Sequence, residues 1–331
     1  MNKKLWLFLF LGIFVASFSY SLLVMKKDDL ASYFLEGQVK KQKTGKRIFK
    51  DVELRKLFEL NYNLFLPLMV KVDKFGSAYV VDYGDIKVKK FASDGRFIME
   101  FGKGKGQGPG ELLNPTDIAI DDSLSLWVCD AYNSNITIFD RGGGVKKILK
   151  LNVPALRISL LKDGKFIVLK FTDFEIYDIN GRSLLKFTDE LIQRRFNNPL
   201  FWNAFIENDG KFLYFILDQL GYIICVDLKD GKVKYRVKTI DDLAPPKLIF
   251  IDVNGAKVTK LKREGNLQFL ILNINLVDSL IFNHVYASGK KDELTIVDAY
   301  SKSDGSYLYS FKIPEKFKYG YFDGRYYYGV R

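Results

Sequence analysis

One short phrase recurs down this chain: a turn residue, then an apolar, aromatic-rich run that ends on a polar residue. The copies read GSAYVVD (76–82), LSLWVCD (124–130), GKFIVLK (164–170), GKFLYFILD (210–218), GNLQFLILN (265–273) and GRYYYGV (324–330). A phrase returning in phase every 40–50 residues or so, with no room for crossover helices, marks a stack of small antiparallel sheets of about four strands each. That pattern predicts an all-β propeller, with each phrase as the second strand of one blade.

The residues around each phrase fit this unit. Ahead of it stands another strand-like segment: LMVKVD (68–73), TDIAID (116–121), RISLLK (157–162), NAFIEN (203–208) or YGYFD (319–323). After it come two more, joined at Asp94-Gly95, Asn180-Gly181, Asp230-Gly231 or Asp304-Gly305, dipeptides that accept the positive φ of tight hairpins. Six phrases predict six blades. The chain ends just after the sixth, so KRIFKDV (46–52) and LRKLFELN (54–61) are expected to pair with the C-terminal blade and close the ring. Residues 188–199 read as a short helical insertion, 274–292 as a long loop inside blade five, and 238–263 shows no clear strand pattern.

This ring spans 46–331 as one domain. Ahead of it lie a basic tether (28–45) and an N-terminal segment (1–27). There Lys3 and Lys4 precede an uncharged run from Leu5 to Met25. A basic start before an apolar stretch is an export signal, and the run is also long enough to cross a bilayer as an anchor helix. Cleaved signal and retained anchor both fit, and both put the propeller outside the cytoplasm, the second with a membrane contact. The chain carries 51 Lys+Arg against 39 Asp+Glu, a net +12. The basic residues are scattered along alternating segments, apart from one cluster at Lys40, Lys41, Lys43, Lys46, Arg47 and Lys50. With no accompanying nucleic-acid motif, this reads as a solvated tether and no nucleic-acid partner is expected.

The stretch FGKGKGQGPGELLNPTDIAID (101–121) has glycine at 102, 104, 106, 108 and 110. A dinucleotide cradle needs G-x-G-x-x-G between a strand and a helix. Here Pro109 takes the place of the third glycine and Pro115 opens a strand, so the run is a connection between blades. Gly106-Gln107-Gly108-Pro109-Gly110-Glu111, then Asn114-Pro115-Thr116-Asp117-Ile118-Ala119-Ile120, then LWVCDAYNSNITIFD (126–140), resemble the bacterial six-bladed β-propeller proteins related to NHL repeats. The resemblance implies the fold and an exported location more than a reaction.

Candidate chemistry is sparse. The single histidine, His284, falls in the expected loop, which excludes a His-rich zinc site and the zinc lyase chemistry of some related propellers. Cys129 and Cys225 belong to non-adjacent blades and read as buried free thiols. Asp82, Asp130 and Asp218 end second strands, with Lys170 and Asn273 at the comparable points. The loops that follow add Tyr83, Asp85, Tyr132, Asn133, Asn135, Asp173 and Gln219, and all gather at one face of the ring. Asp82, Asp130 and Asp218 are candidate Ca²⁺ ligands; the competing reading is that they cap turns by bonding backbone amides. The leading expectation is a non-enzymatic binding scaffold, exported or membrane-tethered, that takes a protein, peptide or glycan on this loop face. The alternatives are a calcium-dependent, lactonase-like hydrolase and a structural component of a cell-envelope assembly.

Overall fold

A computed structural model of the chain describes residues 37–60, 62–253, 256–262, 268–288 and 294–331; the expected N-terminal signal or anchor lies outside them. Among the described residues no helix is long and apolar enough to cross a membrane. The architecture is an all-β propeller. Four-stranded antiparallel sheets are formed by β1–β4 (Pro67–Val72, Ala78–Asp82, Lys87–Phe91, Phe97–Phe101) and β5–β8 (Pro115–Ile120, Leu126–Asp130, Asn135–Phe139, Val145–Lys150). β9–β12 (Arg157–Leu160, Phe166–Leu169, Phe174–Tyr177, Ser183–Phe187) and β13–β16 (Ala204–Asn208, Phe212–Leu217, Tyr222–Asp227, Val233–Lys238) repeat the design. The hairpin β17–β18 (Lys247–Val253, Ala256–Lys262) interrupts the series. The fifth four-stranded blade is β19–β22 (Gln268–Val277, Leu280–Ser288, Thr295–Ser301, Tyr307–Ile313), and β23–β24 (Tyr319–Phe322, Tyr327–Val330) form a two-stranded sixth.

The first strands β1, β5, β9, β13, β19 and β23 each pack on the next, and β23 packs on β1, which closes the ring. Apolar cores lie between neighbouring blades. Phe166 packs with Trp127 between blades two and three, and Phe215 packs with Phe174 between three and four. A sheet covered on both faces has no solvent side, which is why β2, β6, β7 and β10 are buried at every position, without alternation. The third-to-fourth-strand turns share one build, with Gly95, Gly143, Gly181, Gly231 and Gly305 all at positive φ. The expected helical insertion is a short helix, α1 (Glu190–Arg195), capped by Asp189.

Three expectations need correction. First, residues 46–60 do not form strands on the C-terminal blade. They lie as a strap whose Phe49 bridges Ser310 of β22 in parallel, while Lys40 bridges Val237 of β16. Strap side chains take up the polar groups between blades four and five, so the strap is held there and the sixth blade keeps two strands. Second, the described part of the phrase at 265–273, from Gln268 on, falls in an inner strand, β19, and not in a second strand. Third, the described part of the expected loop, 274–288, is the end of β19, a tight turn and all of β20, and His284 is a fully buried residue of β20. Two buried asparagines of β19 bond across the blade seam: Asn273 Nδ2 donates to the Gly320 carbonyl (3.0 Å), and Asn275 Oδ1 accepts from Phe322 N (2.9 Å).

Candidate functional site

At the end of the ring where second strands finish, the sequence places Asp82 and Asp130, and the structure shows what they do. Asp82 is buried and accepts from the backbone N–H of Phe65 (2.9 Å), Leu66 (2.7 Å) and Gly84 (3.2 Å), and from Lys89 Nζ (2.7 Å). Burial works against its charge, but Lys89 and these amides hold its carboxyl below the usual carboxylate range. Asp130 repeats the arrangement one blade on, accepting from Leu113 N (2.8 Å), Asn114 N (2.9 Å) and Asn133 Nδ2 (2.7 Å). Asn133 also donates to the Gly106 carbonyl (3.0 Å), so it ties the loop after β6 to the glycine run. That run is the hinge between blades one and two: Gly110 sits at φ +86°, and a side chain on Gly106 would collide with Glu111.

The other predicted positions follow suit. Asp85 pairs with Lys89 (2.8 Å) and Asp173 with Lys186 (2.9 Å). Buried Asn135 accepts from Thr137 Oγ1 (3.3 Å). Lys170, which replaces the aspartate in blade three, pairs with Glu175, and Tyr177 OH donates to the same carboxylate (2.8 Å); this is the Asp82–Lys89 pair with its charges exchanged. Among the described residues no three Asp, Glu, His or Cys side chains converge on a metal-sized point. Calcium added to the chelated protein is expected to leave the melting temperature unchanged. At 100 times its Kd a bound ion would add about 2.7 kcal/mol; a saturable rise would defeat the capping account.

Asp218 and Gln219 lead to a feature that the sequence reading missed. Asp218 Oδ2 accepts from Asn203 Nδ2 (2.6 Å) and Gln219 Nε2 (3.1 Å), and burial raises its pKa. Asn203 Oδ1 accepts from Arg157 Nη2 (3.0 Å), and Arg157 projects from β9 into the central channel. The channel is narrow and is lined by Met69, Lys71, Asp117, Arg157, Phe205, Ile206, Asn273 and Tyr319. All six first strands contribute. Lys71 of blade one reaches Glu207 of blade four, across the ring, at 2.8 Å. Burial alone would lower the Lys71 pKa, but Glu207 and nearby Tyr319, Asp117 and Tyr321 hold it well above the ordinary lysine value. Arg157 stacks over Phe205 at 5.3 Å, and Phe205 meets Tyr319 edge-on at 6.4 Å. Asp117 Oδ2 accepts from Ile158 N (3.0 Å), linking blades two and three. The signal in the sequence was a charged residue inside four of the six first-strand segments, Lys71, Asp117, Arg157 and Glu207.

Above the channel the loop face presents exposed aromatic side chains among its polar loop residues. Phe65 is 69% exposed, Tyr132 71% and Phe171 42%, one from each of blades one to three, with Leu66 and Leu200 beside them on the blade connections. The chemistry on offer is an aromatic surface over a barred channel. Cys129 and Cys225 are buried free thiols, as expected.

A family model described as a 6-bladed beta-propeller matches residues 68–217. Among solved structures, a member of the duf4221 family from Bacteroides vulgatus is 12% identical, covers 80% of this chain and 87% of its own, and superposes with a TM-score of 0.52. A protein of unknown function from Bacteroides caccae is 11% identical over 75% of this chain and 81% of its own, with a TM-score of 0.48. A streptogramin B lyase is 14% identical over 74% and 71%, with a TM-score of 0.46. At these identities the likeness is one of fold. No curated protein matches the sequence.

Proposed function

We propose that the protein is a binding scaffold that takes a protein, peptide or glycan on the loop face around Phe65, Tyr132 and Phe171, outside the cytoplasm. One observation carries this reading: the Lys71–Glu207 pair bars the channel, so the exposed surface left for a ligand is the aromatic rim above it. An apolar rim spread over three blades fits an extended ligand better than a small molecule in a pocket. The carboxylates that a hydrolase would use are engaged by amides and lysines. The location rests on the basic start and the uncharged run Leu5–Met25. The kinship with NHL-type propellers rests on the Asp130–Asn133–Gly106 tie.

The test is retention of a binder from cell-envelope extract by immobilised protein. A Phe65→Ser, Tyr132→Ser, Phe171→Ser variant should retain it roughly tenfold more weakly, the effect of losing about 1.4 kcal/mol, with an unchanged circular dichroism spectrum. Full retention by the folded variant would move the ligand elsewhere.

A further inference from the structure

We infer that Arg157 anchors an acidic group of the ligand, a carboxylate belonging to a peptide laid across the aromatic rim. This deepens the loop-face reading and rests on it. The register places the residue. Arg157 stands opposite Leu169, the last residue of β10, so it lies at the end of the channel that opens onto the loop face. Lys71 and Glu207 stand opposite Tyr79 and Tyr214, each three residues short of the end of its strand. Their charge-balanced pair is therefore the floor of a narrow cup, with Met69, Phe205 and Arg157 in its wall.

The guanidinium is fixed in place without being used up. Nη1 donates to the carbonyls of Leu156 (2.8 Å) and Thr116 (3.3 Å), and Nη2 donates to Asn203 Oδ1 (3.0 Å). All three acceptors are neutral. Nε and the second N–H of Nη2 have no partner among the described residues, and Arg157 forms no ion pair there. Arg47 shows what this edge of an arginine holds elsewhere in the protein: its Nε and Nη2 meet both oxygens of Asp298 at 2.8 Å. Arg236 likewise turns Nε to Asp189 (2.5 Å). The carboxylates around Arg157 are committed to other donors. Asp117 accepts from Ile118 N (2.9 Å) and Ile158 N (3.0 Å), and Asp218 Oδ2 takes the amides of Asn203 and Gln219. A half-buried guanidinium pinned by neutral acceptors, with its Nε–Nη2 edge unfilled, is preorganised for two parallel bonds to a carboxylate.

A cup this narrow admits only a terminal group, so the rest of the ligand stays on the rim. Sugar hydroxyls would need hydrogen-bonding partners, and Asp82, Asp130 and Asn133 already spend theirs inside the loops. Exposed Phe65, Phe171 and Leu200 suit apolar peptide side chains instead. The ligand class is a peptide whose acid is flanked by apolar residues. A C-terminal carboxylate and an Asp or Glu side chain share the chemistry that Arg157 reads.

The experiment uses the full chain and fluorine NMR of three probes: N-trifluoroacetyl-Phe-Phe with a free carboxylate, the same dipeptide as its amide, and N-trifluoroacetyl-Phe-Asp amide, whose acid is a side chain. Wild type should bind at least one of the acids roughly tenfold more tightly than the dipeptide amide, and the acid preferred tells a C-terminus from a side chain. Arg157→Met should abolish the preference. Arg157→Lys keeps the charge without the two-pronged edge and should keep only part of it, both variants showing an unchanged circular dichroism spectrum. Equal binding of acid and amide by wild type, a comparison that needs no variant, would overturn the inference and leave the rim reading standing. A preference that survives in folded Arg157→Met would overturn it too. Glucuronate bound more tightly than either peptide acid would replace the peptide with an acidic glycan. Acid binding untouched by the triple rim substitution would instead count against the rim reading, with Arg157 still the anchor.

Discussion

Arg47→Ala is expected to destabilise the fold by about 3–5 kcal/mol, the range for stripping one partner from a buried ion pair. The Arg47 guanidinium, 12% exposed, lies between two buried carboxylates. Nε and Nη2 meet both oxygens of Asp298 at 2.8 Å, and Nη1 and Nη2 meet Asp241 at 2.7 Å. Burial works against the charge on Arg47, but Asp298 and Asp241 raise its pKa further still. Ser310 Oγ adds a bond to Asp298 Oδ1 (2.6 Å). Removing the arginine leaves two buried negative charges facing each other. It also releases the strap, which is otherwise held by Lys50 N on the Ser310 carbonyl (2.8 Å) and Gln42 on Lys238 O and Gly305 O. Urea unfolding of wild type and variant measures the loss. The triple variant Arg47→Met, Asp241→Asn, Asp298→Asn should recover a good part of it, because no unpaired charge is left inside. Lys56→Ala, on the exposed part of the strap, should cost no more than about 1 kcal/mol. A loss under about 1 kcal/mol for Arg47→Ala would mean that the strap does not hold blades four and five together.

Stability should fall as pH drops below about 6.5, and His284 should be the cause above the carboxylate range. Its imidazole is fully buried on β20; Nδ1 faces Tyr327 OH at 3.4 Å, and Nε2 has no partner among the described residues. Burial pushes its pKa down to about 3. In the unfolded chain it titrates near 6.5. Between those two values the unfolded state binds a proton that the folded state does not, so stability rises with pH through this window and is flat above it. The slope for one proton is about 1.4 kcal/mol per pH unit, or roughly 2 kcal/mol between pH 6.5 and pH 5. Because this is the chain's single histidine, His284→Leu should remove the slope between pH 7 and 5. A variant that keeps it would place the titrating group elsewhere.

The fold was legible in the sequence to an uneven degree, for physical reasons. The phrases that became β2, β6, β10 and β14 were read in the right place because each follows a turn and is buried on both faces, and β24, less buried, because it follows the turn at Gly324. The phrase at 265–273 misled because an inner strand has the same two-sided burial and hence the same residues. The inserted hairpin lies before this phrase and lengthens the spacing there to 55 residues, and the next interval is 59 because it runs from an inner strand to a second strand. Asn275, Asn283 and His284 fall in the stretch read as a loop; local sequence does not show that the next blade satisfies Asn275, nor that Asn283 and His284 are buried inside a strand. The strap has the composition of an edge strand, and what fixes its place is a tertiary ion pair through Arg47, over 190 residues from either partner. At the site, Asp82 and Asp130 were found for their position and turn capping was already one reading of them; only the structure names the amides they cap, those of Phe65, Leu66, Leu113 and Asn114. Lys71, Arg157 and Glu207 went unread because each is one charged residue in an apolar segment, and their meeting depends on ring closure.

The loop face can be tested against the opposite end of the propeller by photo-crosslinking. Benzoylphenylalanine is placed at Tyr132, at Phe171 and, as the control, at Phe75, an exposed residue in the β1–β2 turn on the other face. Irradiation in cells should give one common adduct from positions 132 and 171 and none from 75. An adduct confined to position 75, or no adduct from 132 and 171 while the protein still retains its binder, would contradict the assignment of the binding surface.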